Sequence, residues 1–333
     1  WSLQVAVAIS ARAEKAVGRA VELGENNPQA YLYRARLKFL QGSEKHRPEI
    51  IRDLNQALSL DRTLTAAREM LVQCYLERGG PADTEAAIKH LSEIIDQNPT
   101  YAPARMRLLR IYDDNNEMRH FERLLDDSIE AMPDAPSWRV MRARRQLEEG
   151  NAADAVADLR LAFDKERRPN TLALLGTALI RADKSQEAAD TLERWIAPVG
   201  ATPQLLAVKA AAYAAQDDKE RAASTFNKAR QQIRTPAEME GLVAQMREAL
   251  PTEDVIELLE QWDDDDSSGI LGLLLGRILV EAGDPKRAEQ QFEQTRARIA
   301  DDNPHKTSVL HAIAITYQQE MANTADALAT GDL

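Results

Sequence analysis

Across 333 residues the chain is 44% hydrophobic, with only 14 glycines, 14 prolines and 5% aromatic residues; the apolar content argues against disorder, and the Ala, Leu, Glu and Arg richness favours helix over strand, which makes the class all-α. Net charge is −12, with 22 basic against 23 acidic residues in 1–150 and 20 against 31 in 151–333, so the acidic surplus is C-terminal and neither nucleic acid nor an anionic membrane is expected as a partner. A single cysteine, Cys74, excludes an internal disulfide framework and a multi-cysteine zinc site.

Along the chain, residues 2–23 have the pattern of a lone second helix (Ala16, Ala20, Leu23) and end before a turn signal at Asn27-Pro28. Similar anchors recur at Asp61-Arg62, Asn98-Pro99, Met132-Pro133, Arg168-Pro169, Thr202-Pro203, Thr235-Pro236, Ser268-Gly269 and Asn303-Pro304, always 33 to 37 residues apart. Each interval splits into two amphipathic stretches of helical length. The breaks fall at Gly42, Gly79-Gly80, Asn115-Asn116, Gly150-Asn151, Asp183-Lys184, Asp217-Asp218, Pro251 and Gly283-Asp284-Pro285. The expected organisation is one array over 1–333: units 28–61, 62–98, 99–132, 133–168, 169–202, 203–235, 236–269 and 270–303, with partial units 2–27 and 304–333. Both ends fall inside a unit, which predicts a piece of a longer array, because a solenoid's own terminus covers its last apolar face with a polar helix. The longest apolar run, Gly269–Leu275 continuing to Leu279 and Val280, is broken by Arg277 and too short to cross a bilayer, so no membrane insertion is expected in this fragment.

A finer spacing runs through four units. A small residue in the first helix is followed twelve positions later by another in the second helix, and then four later by a large apolar residue: Ala143, Ala155, Leu159; Gly176, Ala188, Leu192; Ala210, Ala222, Phe226; Gly276, Ala288, Phe292. Small side chains where two helices cross let the backbones approach, and the large one fills the groove beside them, so the spacing describes a packed antiparallel pair.

With Leu172, Leu175-Gly176, Leu179, Ala188 and Leu192, and with Arg52 to Leu58 (RDLNQAL) as a second helix, the chain resembles the tetratricopeptide repeat family over nearly its whole length. The resemblance implies a right-handed α-solenoid of about eight antiparallel helix pairs, first helices on the concave face and second helices outside, working as a non-catalytic scaffold for a protein or peptide. Units one and two carry about three extra residues between helices, and Leu109 and Val243 occupy small slots in two others. On the family pattern the residue after the small slot points into the groove: Arg36, Arg110, Arg144, Thr177, Ala211, Ala244 and Arg277. Arg105, Arg107 and Arg110 fall beside Arg139, Arg142, Arg144 and Arg145 of the next unit. The candidate groove residues are therefore Arg36, Arg107, Arg110, Arg144, Thr177, Ala211 and Arg277. Guanidinium groups there suit an acidic peptide, each donating two parallel hydrogen bonds. The competing reading pairs these arginines with Asp113, Asp114, Glu148 and Glu149 as ordinary surface ion pairs. Further along, Ala207, Ala211, Ala214 and Ala215 suggest a narrow surface without charge, suited to hydrophobic anchors. The family's carboxylate-clamp variant uses Lys and Asn where this chain has Arg, Leu, Phe and Ala, so that role is disfavoured.

No phosphate-binding glycine loop, nucleophile elbow, HExxH or EF-hand loop occurs, and His46, His90, His120, His305 and His311 are scattered, so no enzyme activity, cofactor or metal is expected. The run Asp263–Asp266 before Ser267-Ser268-Gly269 reads as a solvated loop whose serines cap the next helix, with a divalent-cation site as the alternative. Cys74 reads as an inert core thiol, and Trp195 and Trp262, each three residues after a large slot, as core fillers. Two other settings fit the same resemblance: a periplasmic scaffold region of a bacterial exopolysaccharide-export or secretion machine, and a regulatory region of a larger enzyme or transcription regulator. Membership of a larger assembly is expected under either, and the compartment stays open between cytoplasm and periplasm.

Overall fold

The computed structural model describes residues 3–263 and 266–330; among them are seventeen helices and no strand. After α1 (Leu3–Leu23) and α2 (Pro28–Leu60) come α3 (Thr65–Arg78), α4 (Pro81–Gln97), α5 (Ala102–Asp114), α6 (Met118–Ala131), α7 (Pro136–Glu148) and α8 (Ala152–Lys165). The remainder are α9 (Pro169–Arg181), α10 (Ser185–Val199), α11 (Pro203–Ala214), α12 (Lys219–Gln232), α13 (Pro236–Ala249), α14 (Thr252–Asp263), α15 (Ile270–Glu281), α16 (Pro285–Arg298) and α17 (Lys306–Thr330). Contacts divide the chain into two compact units, residues 1–138 and 139–333.

The punctuation of this array is local chemistry. Five of the turns inside pairs place one residue in the left-handed region, supplied by Asn116, Gly150, Asp183, Asp217 and Gly283, with φ between 58° and 82°. In the last two of these turns the next aspartate caps the second helix: Asp218 accepts from the Arg221 amide at 3.0 Å and Asp284 from the Arg287 amide at 3.1 Å. First helices open with proline at or next to the first position in α2, α5, α9, α11 and α13, and Thr235 and Glu238 form a reciprocal capping box on α13.

In the first unit α2 holds a whole pair, its helical path broken at Gly42 (φ 134°, ψ 100°). Ala35, Ile50 and Leu54 are fully buried, as are Val72 and Ala87, with Leu91 almost so. Those two sets are spaced by fifteen and four, so the three extra residues are accommodated as one further turn; α4 accordingly has 17 residues where α6 has 14. Cys74 lies in the same core, and burial pushes its thiol pKa up. Nearby, the His90 ring stacks on Tyr75 with centroids 5.9 Å apart, and burial holds its pKa below the usual histidine value, with Glu93 opposing and Arg68 and Lys89 adding to the depression.

In the second unit all twelve residues of the four small-small-large sets are buried. A Cβ on Gly176 would meet Val208 Cγ1 at 2.8 Å and Leu192 Cδ1 at 3.0 Å, while one on Gly276 would run into the Phe292 ring. Val243 fills the corresponding slot without loss of burial, and in the first unit so does Leu109.

Overpacking predicts a graded response: Gly276→Ala should destabilise by about 2 kcal/mol, Gly176→Ala by less, and Gly176→Leu by about 3 kcal/mol, read as shifts in urea midpoint. For His90 the unfolded chain binds the proton first, so its contribution is present above about pH 6.5 and is lost as pH falls from there through the lower folded-state pKa. The urea midpoint should therefore drop between pH 7 and 5.5 in the parent and by less in His90→Phe, which keeps the stacked ring.

Candidate peptide-binding face

One position on a helix separates a structural arginine from a free one. Arg142 precedes the small slot Ala143 and turns towards the second helix, where Asp158 precedes the large slot Leu159. Its Nε and Nη2 donate to the two carboxylate oxygens at 2.6 and 2.7 Å, and Arg139 Nη1 adds a third donor at 3.3 Å. Asp158 is only 4% exposed. The first pair repeats the arrangement: Arg34 precedes Ala35 and donates through Nε and Nη2 to buried Asp53 at 2.8 and 2.5 Å. Two parallel bonds from a planar guanidinium satisfy a carboxylate that would otherwise be buried without partners.

This corrects the clustered reading of the arginines. Arg105 is 4% exposed and donates to the Pro99 carbonyl at 2.7 Å and to Ser128 Oγ at 3.1 Å. Arg145 pairs with Glu149 at 2.9 Å and Glu148 at 3.5 Å, as the surface-pair alternative anticipated. Arg139 and Arg142 serve Asp158, while Asp113 and Asp114 pair with none of these arginines among the described residues. What remains exposed is Arg107 and Arg110 on α5, Arg36 on the first half of α2, Arg144 on α7 and Arg277 on α15. These five make no hydrogen bond or ion pair among the described residues.

Thr177 and Ala211 are half-buried and lie in one place. The first helices α9, α11 and α13 pack side by side and leave a partly open cavity of about 240 Å³, lined by Thr177, Ile180, Arg181, Ala207, Val208, Ala211, Ala215, Gln245, Glu248 and Ala249. A second cavity of about 220 Å³, lined by Pro203, Gln204, Glu238, Gly241, Leu242 and Gln245, continues past Gln245 towards the other end of α11 and α13. The alanine methyls do form the floor, but the surface is not free of charge: Arg181 and Glu248 stand on its walls. Ala214 and Ala244 do not line it. Sequence reasoning missed Arg181, Gln245, Glu248 and Ala249, because they come from the last turns of helices distant in sequence.

The other candidates resolve into packing. Asp263 is buried, accepts from Gln291 Nε2 at 2.8 Å and pairs with Arg298, whose Nη1 also donates to the Asp263 carbonyl at 2.8 Å. Asp266 accepts from the Ser268 amide, the Ser268 hydroxyl and the Leu271 amide at 2.8, 2.6 and 2.9 Å, so the acid joins the serine in capping α15. Residues 264 and 265 of that run lie outside the described residues. Among the described residues no three His, Cys, Asp or Glu side chains converge as a metal site would require. Trp262 is core and donates its indole N–H to Asn227; Trp195 is half-buried, edge-on to Phe163 at 5.5 Å, with Arg167 over its face at 4.3 Å. Among the described residues no helix is long and apolar enough to cross a membrane.

The class defined by this construction is the all-α repeat protein of antiparallel helix pairs, locked by small residues at the crossings. Residues 81–144 match the tetratricopeptide repeat family model. No curated protein matches the chain. Among solved structures it is similar to a tetratricopeptide repeat protein from Parabacteroides merdae (19% identity, 73% of this chain and 94% of that one, TM-score 0.37). It is also similar to yeast Tom70 (13%, 98% and 89%, 0.42) and to the type IV pilus biogenesis factor PilW (16%, 73% and 98%, 0.40). At these scores the likeness is loose and bears no weight on partner or pathway.

The two kinds of arginine should separate on mutation. Asp158→Ala leaves two half-buried guanidinium groups without their acceptor and should cost about 2–3 kcal/mol in urea unfolding, whereas Arg144→Ala should change stability by less than about 0.5 kcal/mol.

Proposed function

We propose that the chain is a non-catalytic scaffold that holds a partner's peptide segment along the face of its first helices. The observation that carries this reading is the combination, on the first helices, of exposed guanidinium groups and a methyl-lined cavity. On the first helices, Arg36, Arg107, Arg110, Arg144 and Arg277 stay exposed without partners among the described residues, and α9, α11 and α13 leave an alanine-floored cavity. Exposed guanidinium groups on rigid helices suit carboxylates, and a narrow methyl-lined groove suits an aliphatic anchor. Within unit 139–333, which holds Arg144, Arg277 and the groove, the segment proposed is one with acidic residues for these arginines and an apolar stretch for the groove.

Capture from a candidate host's lysate tests this, using the parent, an Arg107→Glu/Arg110→Glu/Arg144→Glu variant and an Ala211→Trp variant that fills the cavity. Each variant should keep the parent's helical circular dichroism and melting transition. Loss of a hot spot corresponds to about tenfold or more, so a specific partner should be weakened by at least that factor in either variant. Equal capture by all three proteins would defeat the reading.

A further inference from the structure

The cavity between α9, α11 and α13 has an electrical character that its alanine floor conceals. Three first helices reach their C-terminal turns at its rim, since Ile180, Ala215 and Ala249 all line it. Each such end carries the negative pole of its helix dipole, although turn amides already bond the Leu179, Ile180, Tyr213 and Ala214 carbonyls. Glu248 adds a full carboxylate there, in the last turn of α13, where a helix favours a cation. No cation neutralises it among the described residues: its neighbour Arg247 pairs instead with Glu281. The turns beyond α9 and α11 place Asp183 and Asp217 at the same end of the helices. Against this stand Lys184, in the turn after α9, and Arg181. Arg181 does line the cavity, yet its Nη1 reaches the Leu147 carbonyl at 3.5 Å, towards the end of α7 rather than towards α13.

From this we infer that the cavity is a pocket for one cationic side chain of the partner segment, a lysine or arginine. Its aliphatic stem lies on Ala207, Ala211, Ala215 and Ala249, and its charged head sits beside Glu248 and the carbonyl ends of α11 and α13. A long basic side chain suits both halves of such a site, because its methylenes pack on apolar surface while its head keeps polar partners. The volume of about 240 Å³ accommodates one such side chain. The inference rests on the peptide-binding reading above and deepens it: the segment that gives carboxylates to the exposed arginines elsewhere gives a cation here.

The test uses the whole chain with 13C-methyl-labelled alanine and three small probes: N-acetyl-lysine methylamide, N-acetyl-norleucine methylamide, which has the same stem without the ammonium, and N-acetyl-glutamate methylamide. The lysine probe should move the methyl resonances of Ala207, Ala211, Ala215 and Ala249 at roughly three- to fivefold lower concentration than norleucine, the scale of a partly exposed charge contact. Glutamate should be the weakest. Glu248→Gln keeps the shape of the wall and should bring lysine and norleucine to within about a factor of 1.5. If norleucine equals lysine in the parent, the cation inference fails while the apolar groove stands. If glutamate binds best, the polarity assigned here is wrong. If no probe moves these methyls, the pocket is not a side-chain site, and the Ala211→Trp capture experiment then decides separately whether the groove binds a partner at all.

Discussion

Two helices approach most closely over a full turn where one of them presents almost no side chain, and four pairs of the second unit depend on that contact. Gly176 and Gly276 occupy the crossing, and the Leu192 and Phe292 side chains take the space a Cβ would need. The burial this creates joins neighbouring pairs, since Val208 of α11 closes over Gly176 as Leu192 does. Helices of twelve to fifteen residues, marginal alone, are thereby held by tertiary packing.

Close approach also brings polar groups inside, and their satisfaction decides what is left for binding. Asp53 and Asp158 are buried where second helix meets first, so each must take an arginine from the facing helix. Arg34 and Arg142, each one place before a small slot, are consumed by this internal pairing. Residues one place after the slot, about 100° further round the helix, face away from the partner helix and stay free. A basic composition on the first helices therefore says little by itself: Arg142 and Arg144 are two positions apart and have opposite roles.

The same economy of side chains shapes the groove. Alanines that let α9, α11 and α13 lie side by side also leave space above them, so one choice of residue serves packing and recognition. Apolar methyls line the bottom, and charge appears where the helix ends contribute Arg181 and Glu248 to the lining. A ligand held there is read by shape along its stem and by electrostatics at its head.

Much of the fold was legible without coordinates, because its determinants are short-range. Asn116, Gly150, Asp183, Asp217 and Gly283 stand where only a left-handed residue closes the turn, and the spacing of twelve and four residues reports a helix crossing directly. The three extra residues in the first two pairs were legible for the same reason. The sequence by itself thus determined where helices begin and end and which faces they bury. Only the tertiary structure decided which arginines are spent on Asp53, Asp158 and Ser128, that Glu248 stands uncompensated beside an alanine floor, and that contacts divide the chain into two units. The reason is physical: a turn or a crossing is specified by neighbours in the chain, whereas the partner of a charged side chain is set by which helices come to lie beside it.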